Sequence, residues 1–229
     1  MGESINVEPK KLVAEIVGTF ALIFMGAGAI LVTGDDVVAV ALAHGLAIAL
    51  LVSALGHISG GLFNPALTLG LWVTRRLDTP NTIAYIIAQL IGAVLAALLL
   101  VILFPEVLRD ARDLGTPQLN PSITFAQGVG IEIVLTVFLM LAVFGTALDN
   151  RGPNIGGFGI GLVITMDIFA AGGLTGAAMN PARAFGPALL SGTWDDQLVY
   201  WIGPIVGAVL AALLYHYVFA EPAEGGVTA

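Results

Sequence analysis

Two copies of the tripeptide Asn-Pro-Ala could do chemistry in this sequence, and they begin 116 positions apart, at Asn64 and Asn180. Asparagine is a preferred helix N-cap and proline is tolerated at the first helical position, so each copy would begin a helix. The helix N-terminus has a partial positive charge, and the asparagine amide donates hydrogen bonds. Two such ends at one point would hold neutral polar molecules and repel cations. The motif residues are Asn64, Pro65, Ala66, Asn180, Pro181 and Ala182.

The elements that position these motifs must lie in lipid. Of 229 residues, 58% are hydrophobic and 10% are charged, and the mean hydropathy is +0.97. Because a helix of about 20 residues crosses the hydrocarbon core, the chain can hold six spans. Both Asn-Pro-Ala segments are only about half as long as a span. The apolar runs predict spans near 11–33, 37–57, 82–104, 124–147, 155–173 and 197–219.

Charge and composition exclude several classes of protein. The net charge of −8 makes a nucleic-acid partner unexpected. Without cysteine, the chain has no disulfide or thiol chemistry, and we expect no metal, no cofactor and no enzymatic activity because no catalytic constellation is recognisable.

The positive charges predict the orientation in the membrane. Five cationic residues fall on the side of the termini, so the positive-inside rule predicts cytoplasmic termini; they are Lys10, Lys11, Arg75, Arg76 and Arg151. The first span is expected to be retained rather than removed as a signal peptide, and the cell (plasma) membrane is the expected location.

The two halves of the chain repeat. Glu15 and Glu132 are 117 positions apart, and Gly92 and Gly207, each followed by AVLAAL, are 115 apart. With three spans in each half, the second copy enters the membrane from the opposite face. We therefore predict an all-α membrane protein with six transmembrane helices and two re-entrant half-helices in an inverted repeat. Residues 1–229 would form one domain, with repeats at about 10–104 and 124–219 and a cytoplasmic tail at 220–229.

The contexts GHISGGLFNPALTLG and GLTGAAMNPARAFGPAL, together with AEIVGTF at 14–20, resemble the aquaporin, or major intrinsic protein, family. The resemblance covers nearly the whole chain. It implies a right-handed helix bundle, four identical subunits with one pore in each, and passive passage of water without ions or protons.

The resemblance also implies a selectivity filter formed by His44, Ile168, Ala177 and Arg183, a combination similar to filters of the plant vacuolar branch. Arg183 would supply a fixed positive charge, whereas His44 could also be an interhelical histidine without a filter role. The apolar Ile168 would make the filter less selective for water. Ammonia is therefore a second expected permeant, because it can accept hydrogen bonds from Arg183 and His44. The loop histidine of ammonia-conducting vacuolar members is missing here. Urea or glycerol facilitation, or an adhesive protein with a closed pore, are the alternatives.

Three kinds of acidic or titratable residue in the spans need a separate interpretation. Glu15 and Glu132 could form a proton relay, but their symmetric placement favours bracing of the re-entrant loops, whose N–H groups cannot bond to lipid. His57 would lie near the cytoplasmic mouth, either as a loop brace or as a pH gate. Asp167 is turned about 100° from Ile168, and the sequence assigns it no partner.

Overall fold

The structure is a computed structural model that describes residues 7–34, 36–153 and 155–220. The expected tail lies outside this part of the chain from residue 221 onward. The helices in order are α1 (Pro9–Thr33), α2 (Val37–Ser59), α3 (Pro65–Val73), α4 (Thr79–Leu103), α5 (Glu106–Asp110), α6 (Phe125–Val143), α7 (Gly156–Thr175), α8 (Pro181–Ser191) and α9 (Val199–Leu214). A 3-10 turn covers Asp113–Gly115, and π-helical turns extend α6 through Phe144–Leu148 and α9 through Tyr215–Phe219.

Six of these helices, α1, α2, α4, α6, α7 and α9, are long and apolar enough to cross a membrane. Their ends lie within three residues of the predicted spans, counting the π-helical turns. The half-helices α3 and α8 contain 9 and 11 residues. The predicted fold class, six spans plus two short helices, is confirmed, and the residues described contain no β-strand.

Local sequence signals explain where several spans begin. Asp36 caps α2 by accepting from the backbone N–H of Val38 and Ala39 at 3.0 and 3.1 Å. Asp78 caps α4 through Asn81, whose hydrogen bonds hold the pKa of Asp78 below its ordinary value. These caps satisfy backbone donors that have no partner inside the helix.

The packing follows the inverted repeat. Helix α1 packs on α4 in the first half and α6 packs on α9 in the second, while α2 and α7 join the halves. Each half-helix packs on the last helix of the other half, α3 on α9 and α8 on α4. Gly92 and Gly207 allow the crossings within each half, because an added Cβ would meet the carbonyl oxygen of Ile16 or Ile133. In lipid the hydrophobic effect does not drive helices together, and the close packing that small residues allow stabilises their association instead.

Candidate pore and selectivity filter

The two Asn-Pro-Ala asparagines lie where the half-helices begin, and each makes contacts in both repeats. Asn64 Oδ1 accepts from the N–H of Ala66 at 2.9 Å, and its Nδ2 donates to the carbonyl of Met179 at 2.8 Å. Asn180 Oδ1 accepts from the N–H of Ala182 at 3.0 Å, and its Nδ2 donates to the carbonyl of Phe63 at 2.9 Å. A primary amide has two N–H groups, so each asparagine has a second donor available.

The remaining motif residues shape the half-helices. Pro65 and Pro181 occupy first positions, where a missing N–H costs nothing. Ala66 and Ala182 are fully buried. Of the six motif residues, Asn64 and Asn180 line the central cavity.

The residues before the two asparagines have strained backbones. Phe63 has φ 48° and Met179 has φ 51°, in the left-handed region that non-glycine residues rarely adopt. Such a conformation costs about 1–3 kcal/mol and persists when neighbouring contacts determine it. Here it turns each carbonyl toward the asparagine of the other repeat.

Two buried glutamates hold these loops. Glu15 accepts from the N–H of Phe63 at 2.7 Å and of Leu62 at 3.2 Å. Glu132 accepts from the N–H of Met179 at 2.7 Å and of Ala178 at 3.0 Å. The backbone groups of the re-entrant loops are thus satisfied by protein, as their depth in the membrane requires.

His44 and Arg183 contact each other inside the bundle. His44 Nδ1 lies 2.8 Å from the carbonyl of Val40, and Arg183 Nε donates to His44 Nε2 at 3.1 Å. A carbonyl only accepts and a guanidinium only donates, so the ring has its proton on Nδ1 and a lone pair on Nε2. Both ring nitrogens are therefore engaged in this structure, and the expectation that His44 donates to a permeant such as ammonia stays a prediction.

The other two predicted filter residues are placed differently. Ala177, with φ 45°, lines the central cavity together with His44 and Arg183. Ile168 is 2% exposed and packs in the apolar core, and it does not line this cavity. The filter role of all four residues stays a prediction.

One cavity of about 1010 Å³ connects the predicted sites. Its end on the side of the termini is lined by His57 and Arg76, its middle by Asn64 and Asn180, and its far end by His44 and Arg183. Its remaining wall is largely apolar and includes Leu22, Ile48, Val52, Leu139, Val143, Ile160 and Ile164. The cavity can hold a file of small molecules, with hydrogen-bonding groups at separate points along an apolar wall.

Asp167 lies outside this cavity. Its side chain is 1% exposed, and its Oδ2 is buried with no hydrogen-bond partner in the described chain. The structure therefore shows no partner for the acid that the sequence left unexplained.

Several residues that support the loops were not predicted from the sequence. Ser59 and Thr175 donate to Glu15 and Glu132 at 2.6 and 2.7 Å, and their spacing of 116 matches the repeat. The same register would have found Tyr85 and Tyr200, which donate to the carbonyls of Ser59 and Thr175 at 2.9 and 2.8 Å. The repeat spacing of 115 to 117 positions was therefore a sequence signal that could have identified these residues.

The spacing of the two halves does not identify Gln89, which also supports a loop. Its Nε2 donates to Glu15 at 2.8 Å and to Thr68 Oγ1 at 2.9 Å. The residue 115 positions later is Pro204, which cannot make the same contacts. Only the packing of α4 against α1 and α3 identifies Gln89.

Six spans, two half-helices meeting at their N-termini and a cavity between them define a transmembrane channel. The family model for the major intrinsic protein matches residues 3–215. Aquaporin TIP4-4 of Zea mays is 43% identical, covering 95% of this chain and 88% of that protein. Aquaporin AqpM of Methanothermobacter thermautotrophicus is 39% identical, covering 93% and 98%. This chain belongs to the major intrinsic protein family.

The fold agrees with a solved structure. The X-ray structure of the aquaglyceroporin from Plasmodium falciparum superposes with a TM-score of 0.83 at 27% identity, covering 91% of this chain and 96% of that one. The protein is accordingly an integral multi-pass membrane channel for water or small solutes.

Proposed function

We propose that the chain is a water channel that excludes ions and protons. The observation that supports this proposal is the pair of asparagine caps, each donating one N–H to the loop of the other repeat. The second N–H of each amide can donate to a water oxygen in the cavity. A water that accepts two such bonds directs its own hydrogens away from the asparagines, which interrupts a chain of proton transfer.

Exclusion of cations would have two further sources. The N-termini of α3 and α8 both contribute partial positive charge at Asn64 and Asn180. Arg183 adds a full charge at the far end of the cavity. A neutral molecule passes both points without an electrostatic barrier.

The decisive experiment is osmotic shrinkage of proteoliposomes measured by stopped-flow light scattering. We expect the protein to shrink vesicles faster than empty vesicles, with no faster proton entry reported by an internal pH dye. R183V removes the filter charge and should retain water flow while admitting protons or ions. Shrinkage no faster than that of empty vesicles would contradict the proposal.

Ammonia permeation is a second prediction, and it now depends on a single hydrogen-bond donor of the filter. The side chains of Ile168 and Ala177 have no hydrogen-bonding groups, and His44 has both nitrogens engaged, so Arg183 would be the filter donor to ammonia. An ammonium gradient across dye-loaded proteoliposomes should alkalinise their interior faster than in empty vesicles. An unchanged rate would exclude ammonia while leaving the water proposal intact.

Glycerol and urea are the alternative permeants. The family's glycerol channels have an aspartate directly after NPAR and a lysine four residues beyond it, and here Ala184 and Ala188 occupy those positions. We therefore expect slow swelling in iso-osmotic glycerol or urea. Swelling as fast as the water response would favour the broader facilitator.

Assembly and orientation are inferred from the family and from the cation distribution. We propose a homotetramer with one pore per subunit, with its termini in the cytoplasm and the cell membrane as its location. Native mass measurement in detergent would give the subunit number, and access of a protease or an impermeant biotin reagent in intact cells, compared with permeabilised cells, would give the orientation. A monomeric mass would contradict the tetramer.

A further inference from the structure

The half-helix α3 ends at two adjacent arginines whose backbone is held in a fixed turn. Arg75 has φ 57°, in the left-handed region, and its N–H donates to the carbonyl of Trp72 at 2.9 Å. The N–H of Arg76 donates to the carbonyl of Leu71 at the same distance. This pair of hydrogen bonds is common at helix ends, where glycine is the usual left-handed residue. The turn therefore fixes the direction in which the Arg76 side chain leaves the backbone.

The two arginines differ in what they contact. Arg76 and His57 line the end of the central cavity on the side of the termini, here called the inner end, whereas Arg75 does not line the cavity. The Arg76 guanidinium lies 5.1 Å from the centroid of the Phe144 ring, which is fully buried. Both arginines are exposed residues. Arg75 is therefore a matched control for Arg76, with the same charge one position away.

The charge of Arg76 is not neutralised by an ion pair. In the part of the chain that the structure describes, no carboxylate lies within ion-pair distance of it. Asp149 is paired with Arg151 and accepts from the hydroxyl of Tyr215 at 2.9 Å. Asp78 accepts hydrogen bonds at the start of α4. The guanidinium thus contributes a net positive charge at the inner end.

A net charge at this point acts on every ion that enters from the side of the termini. The wall of the cavity is largely apolar, and low-dielectric walls concentrate the field of a charge in the water between them. A cation that approaches the inner end is repelled and an anion is attracted. A water molecule has no net charge and meets no such barrier.

We propose that Arg76 is an electrostatic barrier to cations at the inner end of the cavity, and that the Phe144 ring positions its guanidinium there. A cation over an aromatic face is attracted by the electrons of the ring, which favours this placement over free water. The proposal rests on the proposed exclusion of ions and adds a barrier to those at Asn64, Asn180 and Arg183. Cations from the side of the termini would then be repelled before they reach the asparagines.

The sequence contains no cysteine, so one introduced thiol can report the potential at the inner end. Ala147 is exposed, lines the cavity and lies in the π-helical turn that begins at Phe144. A147C, A147C/R76Q and A147C/R75Q are labelled in detergent with a cationic and an anionic methanethiosulfonate of similar size. Mass spectrometry follows the two labelling rates, and their ratio measures the sign and size of the local potential.

R76Q should lower the ratio of anionic to cationic labelling by about tenfold, because Arg76 attracts one reagent and repels the other. R75Q should leave the ratio close to that of A147C. Salt at about 1 M should remove most of the difference between R76Q and A147C, since it screens an exposed charge. R76K retains the charge and should retain most of the ratio.

The role of the ring is tested separately with A147C/F144M, which keeps a large apolar side chain in the core. The arginine is still present but has no ring to contact, so the ratio should fall by less than it does in R76Q. A ratio equal to that of A147C would show that Phe144 does not position the guanidinium.

Three results would overturn the barrier at Arg76. They are an unchanged ratio in R76Q, an equal fall in R76Q and R75Q, and a thiol at position 147 that neither reagent labels, since the inner end would then be closed to ions of both signs. None of these measurements depends on water flow. Wild-type vesicles that shrink no faster than empty ones would contradict the proposed water channel and would leave the labelling ratio as it is.

Discussion

At the scale of single residues, the His44 ring depends on a glycine in another helix. An added Cβ at Gly26 of α1 would overlap the imidazole. The ring cannot swing freely because Val40 and Arg183 engage its two nitrogens. Gly26 is therefore what lets the histidine reach the arginine.

G26A should displace the His44 ring from Arg183 toward the cavity that it lines. Overpacking of this kind costs about 1–3 kcal/mol, and water permeability should fall in the shrinkage assay. G130A is the matched control, since an added Cβ at Gly130 has nothing within 4 Å. Equal permeability and stability of the two variants would contradict the dependence on Gly26.

At the scale of elements, the loops that start the half-helices are tied to the last helix of their own repeat. Tyr85 of α4 donates to the carbonyl of Ser59, and Tyr200 of α9 donates to that of Thr175. Both tyrosine side chains are buried. The two ties keep the loops beside the glutamates that brace them.

Y85F and Y200F should each lower the free energy of unfolding by about 0.5–1.5 kcal/mol, because the first leaves the half-buried carbonyl of Ser59 and the second the buried carbonyl of Thr175 without its donor. Thermal unfolding in detergent measures the change. Tyr217, which is 77% exposed, provides the control Y217F, for which no loss is expected. Midpoints identical to wild type in Y85F and Y200F would show that the ties contribute nothing.

At the scale of the whole molecule, one network joins both repeats on the side of the termini. The guanidinium of Arg76 lies 5.1 Å from the Phe144 ring centroid, and Phe144 stacks on Tyr215 at 4.9 Å. Tyr215 donates to Asp149 at 2.9 Å, and Arg151 pairs with the same carboxylate at 2.5 Å. The network connects the end of α3 with the ends of α6 and α9.

D149N should loosen this side of the bundle, seen as faster amide hydrogen exchange in residues 144–153 and 215–219. Pairing with Arg151 lowers the pKa of Asp149 from its ordinary 3.8. A lowered pKa means that the contribution is complete above the ordinary value and is lost only as the pH falls through the lowered one. The wild-type protection factors, that is, exchange relative to the intrinsic rate at each pH, should therefore be unchanged on acidification to about pH 4. The exposed D195N is the control, and exchange in D149N equal to wild type would contradict the role.

The sequence by itself determined the six spans, the two half-helices and the inverted repeat. These follow from hydropathy, helix-capping residues and internal spacing, which are properties of short segments and of their register. The symmetric glutamates were recognisable for the same reason. Which groups of the candidate site these glutamates hold could not be predicted, because that depends on contacts between distant segments of the chain.

Only the tertiary structure decided those contacts. His44 and Arg183 are 139 residues apart, and the tautomer of the ring depends on both of its neighbours. Ile168 turned into the core rather than the cavity, and Gln89 reached Glu15 although nothing in the repeat indicated it. The physical reason is that the packing of the helices determines which side chains are in contact. Close packing in turn depends on small residues from several helices at once.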